Sequence, residues 1–264
     1  MEILDQQQIA SGLPAAVSAQ LRSFTVLGVV DSTNRFLLAG DCFGAAGVHA
    51  CVAETQTAGR GRRGRPWISP SGANLYLSVL RTFDSVPDSL QGLSLAVGVA
   101  VAKALASLDV QGIALKWPND IQLGGKKLGG ILLEMSGGSR GPWRVVAGIG
   151  INVDMPGDAG DTIDQPWTDL ASHGAHPGRN RLASRVLAEV VMAEEQFVEA
   201  GFEAFRRDWE LLDALRDREV ELHAGSGSRC GTARGVDASG ALLLEVGGRR
   251  ERVVSGDIRL RVVT

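Results

Sequence analysis

The stretch IQLGGKKLGGILLEM, residues 121–135, decides the fold. Two short apolar runs flank the pair Gly124-Gly125, and such a pair between strands is typical of a hairpin turn. A glycine-rich turn and the strand RVVAGIGINV, residues 144–153, follow. Because consecutive hairpins make antiparallel neighbours, the stretch predicts a mixed or antiparallel sheet and argues against a doubly wound parallel one.

The segment before this meander predicts the rest of the sheet. Strands are expected over residues 24–30, over VHACVAET at 48–55 and over NLYLSVL at 74–80, and IALKWPND at 113–120 predicts a strand that ends at a proline. Helices are expected in RFLLA, after the capping residues DSTN, and in the apolar run at 93–108. We expect the helices to pack on one face of the sheet.

The C-terminal part of the chain changes character twice. From Arg179 to Leu215 apolar residues recur at helical spacing, with a predicted break near Gly201. From about Asp217, short strands alternate with the turns SGS, DASG, GG and SGD, which predicts a small β-barrel. The prediction is therefore an α+β fold with three parts: an N-terminal linker or helix at 1–22, a larger domain at 23–216 and a barrel at 217–264.

Composition excludes several classes of protein. With 27 Lys and Arg against 30 Asp and Glu among 264 residues, the chain has no general positive field to collect nucleic acid. The longest apolar run is interrupted by Lys103 and is too short for a membrane span, and MEILDQQQ is not a secretory signal. Three cysteines, Cys42, Cys51 and Cys230, suit free thiols in a reducing cytoplasm better than disulfides or a zinc site.

The loop TAGRGRRGRPW, residues 57–67, contains a G-x-G-x-x-G pattern. A dinucleotide-binding turn needs a helix directly after its glycines, and Pro66 and Pro70 exclude one here. Arginine forks match phosphate or carboxylate, so the loop is a candidate anion site. From charge alone, a solvated surface turn explains it equally well.

Other candidate ligand groups lie at strand ends and inside two strands. DSTN, residues 31–34, offers two hydroxyls and an amide to a neutral polar group, or simply caps a helix. In KWPND, residues 116–120, a proline presents polar side chains beyond a strand, as an ordinary loop also would. The glycine pairs in KLGGILLEM and GIGINV leave bare strand surface, which suits a flat ligand, although β-bulges would explain one such pair.

These groups favour one class of chemistry. The sequence contains cations for phosphates, hydroxyl and amide groups for a polar ring, and a glycine floor, but no Ser-His-Asp set, activated cysteine or metal cage. Such a site suits a reaction in which the substrates supply the nucleophile and the protein stabilises negative charge. Phosphoryl or nucleotidyl transfer is the expected class.

Six motifs, DSTN, ETQTAGRGRRGRPW, NLYLSV, LKWPND, KKLGGILLE and GIGINV, closely resemble in order and spacing the catalytic domain of biotin protein ligases. The resemblance covers residues 24–153, and the later helices and strands fit the family's layout. It implies a catalytic domain similar to class II aminoacyl-tRNA synthetases and lipoate ligases, followed by an SH3-like barrel. It also implies a cytoplasmic ligase that uses ATP, biotin and Mg²⁺.

The implied reaction has two steps. The biotin carboxylate attacks the α-phosphorus of ATP, releasing pyrophosphate and forming biotinyl-5′-adenylate. A lysine amine on the biotin carboxyl carrier domain of acetyl-CoA carboxylase, or of a related carboxylase, then displaces AMP. A loop that orders over the adenylate would shield it from water, so we expect loop closure on ligand binding.

The resemblance also implies roles for individual residues. The biotin head group is lined by Ser32, Thr33, Asn34 and Gln56, above a floor of Gly130 and Leu132. The closing loop comprises Gly59, Arg60, Gly61 and Arg62, and Arg60 and Arg62 face the carboxylate and the α-phosphate. Lys127 stabilises the transition state between these groups. The nucleotide side is served by Arg63, Arg65, Trp67 and Asn152, and the phosphates with their magnesium by Lys116 and Asn119, while Asp120 is left unassigned.

Two alternatives stay open. Lipoate protein ligase is similar in fold and in adenylating a carboxylate, and a ligand-binding regulator would keep the adenylate site without transferring its ligand. Some family members carry an N-terminal winged helix that binds DNA; because only 30 residues precede Asp31, we expect a short form without nucleic-acid or membrane binding. Whether the sheet edge pairs to form a homodimer is left open.

Overall fold

The computed structural model describes residues 2–40, 47–83, 90–137, 143–160, 163–224, 227–254 and 258–262. Cys42 lies outside the described residues, as do residues 138–142 of the glycine-rich turn before the strand at 144–153. The helices are α1 (Gln6–Ser11), α2 (Ala15–Gln20), α3 (Thr33–Ala39), α4 (Leu90–Ala106), α5 (Arg179–Ala200) and α6 (Glu203–Leu212). The strands are β1 (Leu21–Val30), β2 (Val48–Gln56), β3 (Leu75–Phe83), β4 (Ile113–Lys116), β5 (Asp120–Leu123), β6 (Lys126–Ser136), β7 (Trp143–Ile151), β8 (Glu219–Ala224), β9 (Gly227–Val236), β10 (Leu242–Val246), β11 (Arg249–Val253) and β12 (Ile258–Val262).

The larger sheet has seven strands in the order β1-β2-β3-β7-β6-β5-β4. β1 and β2 are parallel, and the other neighbours are antiparallel. The predicted mixed sheet and its meander are therefore confirmed. The hairpin between β5 and β6 turns at Gly124 and Gly125, with φ of 59° and 74°, values that glycine adopts without steric cost.

A β-bulge interrupts the pairing of β5 with β6. Ile121 pairs with Gly129 and Gln122 pairs with Lys127, so Leu128 is the extra residue. A Cβ on Gly129 would lie 2.5 Å from the carbonyl oxygen of Gly150. Close backbone packing beside the bulge therefore requires glycine at position 129. Of the four glycines in KLGGILLEM and GIGINV, this is the one that the β-bulge explains.

The two faces of the sheet are covered unequally. The main core lies between the sheet and α4 and α5, and α4 is buried along nearly its whole circumference. The short helix α3 packs on the opposite face, where Leu37 contacts Cys51, Leu80 and Val146. The larger helices therefore lie on one face, as predicted, and α3 lies on the other.

The N-terminal segment is bound to the larger domain. Helices α1 and α2 contact α5, and their apolar residues Ile9 and Val17 are fully buried. Leu4 donates its backbone N–H to Glu54 Oε1 at 2.6 Å, at the end of β2. The predicted helical break at Gly201 is confirmed, since α5 ends there at φ 63°.

The second sheet contains β11-β10-β9-β8-β12, all antiparallel. Its turn at Gly240 docks on the larger domain, where Trp117 Nε1 and Gln91 Nε2 donate to the Gly240 carbonyl oxygen at 3.0 and 2.6 Å. Cβ atoms on Gly92 or Gly240 would each meet the other segment's backbone at about 3 Å or less. Of the helices in the described ranges, none is both long and apolar enough to cross a membrane.

Candidate active site

The floor of the site lies on the sheet face that carries α3. Gly130 of β6 pairs with Gly150 of β7, and Leu132 pairs with Gly148, so these four residues point to one face. Ser78 of β3 pairs with Gly148 and continues the second row. The predicted glycine floor is thus formed by three of the four glycines.

Two side chains lie directly on this floor. A Cβ on Gly148 would be 2.3 Å from Asn34 Oδ1, and a Cβ on Gly150 would be 2.6 Å from the indole of Trp67. The missing side chains therefore make room for an amide and an aromatic ring. These are groups that the DSTN motif and the arginine loop bring from outside the sheet.

The DSTN motif begins α3 but does not cap it as expected. Ser32 occupies the N-cap position, yet its side chain makes no capping hydrogen bond. Instead, Gln56 Oε1 accepts from Thr33 N at 3.0 Å and from Thr33 Oγ1 at 3.1 Å. Burial of the Asp31 carboxyl opposes its charge, but hydrogen bonds from Arg35 and the Ser32 amide lower its pKa overall.

Asn34 is held in one orientation. Its Nδ2 donates to the Leu132 carbonyl oxygen at 3.1 Å and to Glu134 Oε2 at 2.9 Å. Ser78 Oγ lies 2.6 Å from Asn34 Oδ1. Because Ser32, Thr33 and Asn34 are each no more than 4% exposed, the motif forms a buried polar wall beside the floor.

The arginine loop closes on itself without an α-helix. Trp67 N donates to the Gly59 carbonyl oxygen at 2.9 Å, and Gly61 N donates to the Arg65 carbonyl oxygen at 2.7 Å. Only a 3-10 turn, Arg62–Gly64, lies between them. This geometry agrees with the exclusion of a dinucleotide-binding turn.

The loop arginines have different environments. Arg62 is half-buried, whereas Arg63 and Arg65 are exposed, and Arg63 has a positive φ of 61°. Arg60 Nη2 lies 3.1 Å from Glu134 Oε1 and 3.2 Å from Oε2. Arg60 is therefore ion-paired within the chain, a contact that the sequence did not predict.

Gly59 closes the base of the loop. A Cβ there would lie 2.6 Å from the Trp67 carbonyl oxygen and 2.7 Å from Ser69 Oγ. Ser69 Oγ also accepts from Gln56 Nε2 at 3.2 Å. The loop and the polar wall are thus joined through Gln56.

Lys127 lies at the opposite side of the floor. Its Nζ is 2.6 Å from Asp120 Oδ1 and 5.7 Å from the ring centroid of Trp67. Its backbone N–H donates to the Pro166 carbonyl oxygen and its carbonyl oxygen accepts from Thr168 N, so that Lys127 forms a parallel β-bridge with Trp167. Both ionic side chains of the pair are less than 20% exposed, so their charges act in a medium less polarisable than water.

The remaining predicted residues hold the surrounding backbone. Asn119 Nδ2 donates to the Ile131 carbonyl oxygen at 2.8 Å, and Asn152 Nδ2 donates to the Thr168 carbonyl oxygen at 2.9 Å. Lys116 is half-buried at the end of β4. The ligand contacts predicted for these three residues stay predictions.

Two residues of the site were missed from the sequence, Ser78 and Glu134. Both lie within quoted motifs, NLYLSV and KKLGGILLE. Alternation along β6 places Glu134 on the same face as Gly130 and Leu132. That signal was present in the sequence, whereas the proximity of Ser78 to Asn34 depends on the pairing of β3 with β7.

Among the described residues of the site, the one cysteine is not an activated nucleophile. Burial raises the pKa of the Cys51 thiol, so this cysteine stays protonated. Among the residues that the structure describes, no three His, Cys, Asp or Glu side chains cluster as a metal site. The arrangement can bind a polar ring at the wall, and it places the cationic side chains of Arg60 and Lys127 beside the floor.

The sequence of the chain matches two known protein families. Residues 26–152 match the biotin/lipoate A/B protein ligase family, and residues 217–261 match the biotin protein ligase C-terminal domain. The bifunctional ligase/repressor BirA of Salmonella typhimurium is 40% identical over 99% of this chain and 79% of its own length. The biotin–[acetyl-CoA-carboxylase] ligase of Mycobacterium tuberculosis is 40% identical over 97% of this chain and 95% of its own.

A solved structure agrees with these relatives. The biotin protein ligase of Aquifex aeolicus, in complex with biotin and ATP, superposes with a TM-score of 0.78 at 30% identity, covering 92% of this chain and 100% of that one. The correspondence includes both sheets, because it extends over nearly the whole described length. The chain therefore belongs to the family of biotin protein ligases.

Proposed function

We propose that this chain activates biotin with ATP and transfers it to a lysine of a biotin carboxyl carrier domain, that of acetyl-CoA carboxylase or a related carboxylase. The observation that carries the proposal is the buried polar wall of Ser32, Thr33 and Asn34, with half-buried Gln56 beside it, next to the glycine floor on which Asn34 and Trp67 rest. Arg60 and Lys127 lie at its two sides. A ligand with a neutral polar ring, an acyl chain and an anionic group fits the wall, the floor and the cationic side chains, in that order.

The head group of biotin binds at the wall. Ser32, whose hydroxyl is not used as a helix cap, and the fixed groups of Thr33, Asn34 and Gln56 present donors and acceptors in defined positions. Gly130 and Leu132 provide the floor. Lipoate has no ureido ring, so a wall of this polarity favours biotin over the lipoate alternative.

The carboxylate and the nucleotide bind toward Lys127. Neither Arg60 Nε nor Trp67 Nε1 has an acceptor within the described part of the chain, although both atoms are buried. Buried donors are normally satisfied, so a ligand with acceptor oxygens suits them. The nucleotide would also meet three loop arginines, Arg62, Arg63 and Arg65. Closure of the loop depends on Gly59 and Gly61. Asn152 lies at the border of the nucleotide site.

In the first step a biotin carboxylate oxygen attacks the α-phosphorus, and the bond from that phosphorus to the bridging oxygen breaks. Pyrophosphate leaves with the electron pair. Negative charge grows on the phosphoryl oxygens, where Lys127 and Arg62 stabilise it. Lys127 must exchange its contact with Asp120 for one with the substrates.

In the second step the neutral amine of the acceptor lysine attacks the acyl carbon. The bond to the adenylate oxygen breaks, AMP leaves, and the amine loses a proton. The protein's main contribution here is to keep the mixed anhydride away from water until the acceptor arrives.

Magnesium is proposed to enter with ATP. Mg²⁺ is commonly held by one or two protein oxygens plus phosphates, and Asn119 and Asp120 supply amide and carboxylate oxygens at the strand end beside Lys116. When bound, the ion would neutralise phosphate charge. The oxygen donors present fit this requirement.

The test is ATP–pyrophosphate exchange with biotin, with lipoate or with no acid. Biotin-dependent exchange is expected, followed by transfer of label from biotin to a carboxyl carrier domain. Exchange with lipoate alone would overturn the specificity, and binding of biotin without exchange would favour the regulator alternative.

The domain organisation is part of the same proposal. We place boundaries after residues 22 and 216; a second sheet that starts at Glu219 supports the latter, whereas β1 begins at Leu21, so the former falls just inside that strand. A cytoplasmic reaction suits the free thiols Cys51 and Cys230. The absence of nucleic-acid binding stays a prediction, and whether the chain forms a homodimer stays open.

A further inference from the structure

Glu134 contacts both the arginine loop and the head-group wall, which lie far apart in the sequence. Its carboxylate accepts from Arg60 of the loop, at 3.1 and 3.2 Å, and from Asn34 of the head-group wall, at 2.9 Å. Arg60 and Asn34 are 26 positions apart in the chain, and Glu134 lies on a third segment, β6. One anion therefore connects the loop, the wall and the floor.

The contact orders the wall. Asn34 Nδ2 has two acceptors, Glu134 and the Leu132 carbonyl oxygen, and Ser78 Oγ lies beside Oδ1. Reversing the amide would place its oxygen against both acceptors and its nitrogen against the hydroxyl. Glu134 consequently selects which atoms of Asn34 face each neighbour.

The same contact orders the loop. Besides its own backbone bonds and the packing of Trp67 on Gly150, the described loop is joined to the floor by the ion pair of Arg60 with Glu134, whose side chains are about one-quarter to one-third exposed. A hydrogen bond between ionised groups is stronger than a neutral one, more so away from bulk water. Loss of the Glu134 charge should therefore free the loop and loosen Asn34 together.

We propose that Glu134 is a positioning residue: it holds Arg60 and Asn34 in the arrangement that receives the biotin head group, so that loop docking and pocket order form one unit. It acts through these two side chains and contacts no reacting atom. The proposal rests on the proposed function for its kinetic readout, but its structural readout concerns the ligand-free chain.

The test compares Glu134→Gln with the control Glu245→Gln. Glu245 forms an ion pair with Arg234 in the second sheet, with side-chain exposures of 29% and 32%, close to the 24% and 33% of Glu134 and Arg60. Limited trypsin cleavage after Arg62 or Arg63 is measured without ligand, and exchange kinetics are measured with biotin.

Glu134→Gln should raise the cleavage rate roughly 5-fold or more and the biotin KM roughly 10-fold, with kcat changed less than about 3-fold. Glu245→Gln should change none of these. In a double-mutant cycle, Glu134→Gln should add little to the cleavage rate of Arg60→Gln, because the two substitutions remove the same contact. Glu134→Asp, which keeps the charge, should fall between wild type and Glu134→Gln, and it serves if the Gln variant does not fold.

Two results would overturn the assignment. Equal cleavage rates and equal biotin KM values for Glu134→Gln and Glu245→Gln would show that the pair does not hold the loop. A fall in kcat with unchanged KM would place Glu134 in the chemistry instead. If the wild-type chain shows no biotin-dependent exchange, the proposed function fails, while the cleavage comparison still decides whether Glu134 holds the loop.

Discussion

The substitution Gly148→Ala tests whether the bare floor exists to seat Asn34. The new Cβ would lie 2.3 Å from Asn34 Oδ1 and 2.9 Å from both Cγ and Nδ2. Ordinary van der Waals contact begins near 3.4 Å, so the amide must retreat by about 1 Å. A shift of that size lengthens its bonds to Leu132, Glu134 and Ser78 beyond useful hydrogen-bond distance.

The expected cost follows from these bonds. Two are between neutral groups, worth about 1 kcal/mol each, and the one to Glu134 is worth about 1.5–3 kcal/mol. Because neighbouring side chains relax and recover part of this energy, the arrangement of the wall should be destabilised by roughly 2–4 kcal/mol. Biotin affinity should fall by roughly 30-fold or more, since about 1.4 kcal/mol corresponds to a factor of ten.

The assay is calorimetric titration with biotin. Gly28→Ala is the matched control, because Gly28 also lies in a strand and a Cβ there meets nothing within 4 Å. The double variant Asn34→Ala with Gly148→Ala should bind no worse than Asn34→Ala alone, since the clash is then removed. Biotin binding by Gly148→Ala within about 3-fold of wild type would refute the reasoning.

Three further predictions concern other parts of the molecule. Lys127→Ala should lower the exchange kcat by roughly 100-fold or more with folding preserved by circular dichroism, whereas activity near wild type would remove Lys127 from the mechanism. Glu194 is buried beside Arg81, and burial raises its pKa to about 7. The folded state thus holds this proton more tightly, and the associated stability, on the order of 3 kcal/mol, is full below about pH 4.5 and lost as pH rises through 7. Urea unfolding of Glu194→Gln should lack that decline, and a pH profile identical to that of the wild type would contradict the assignment. Gly240→Ala should destabilise docking of the second sheet by roughly 2 kcal/mol or more, because its Cβ would lie 2.9 Å from Gly92 Cα and its φ is +83°. The measurement is the melting temperature, and the control is Gly248→Ala, where φ is +78° and the Cβ meets nothing within 4 Å. Equal melting of the two variants would argue against the contact.

Much of the larger sheet could be predicted because its signals are local. The Gly124-Gly125 turn, the two-residue alternation along β6 and the helical break at Gly201 each depend on neighbouring residues. The exclusion of a dinucleotide-binding turn was equally local, since the prolines after the arginine loop forbid a helix. The motif set then indicated the family and its chemistry.

The expectations that needed adjustment involve contacts between distant segments. Ser32 was expected to cap α3, but Gln56 from β2 binds the first-turn N–H instead. The assignment of Arg60 to the ligand's anions stays a prediction, and its pairing with Glu134 was not foreseen. Gly129 was grouped with the floor, although strand alternation places it on the opposite face from Gly130, beside its core partners Ile121 and Ile151.

The sequence by itself determined the strands, the hairpins, the arginine loop and the residue types available for adenylation, because backbone preference and side-chain alternation act over a few residues. Only the tertiary structure decided that β3 lies beside β7, which brings Ser78 to Asn34, and that Gly240 meets Trp117 across the two sheets. The physical reason is that such pairings are chosen by packing of the whole chain. Several partners satisfy the same local pattern, whereas the observed arrangement both buries the core and gives Thr33, Asn34 and Gln56 their hydrogen-bond partners.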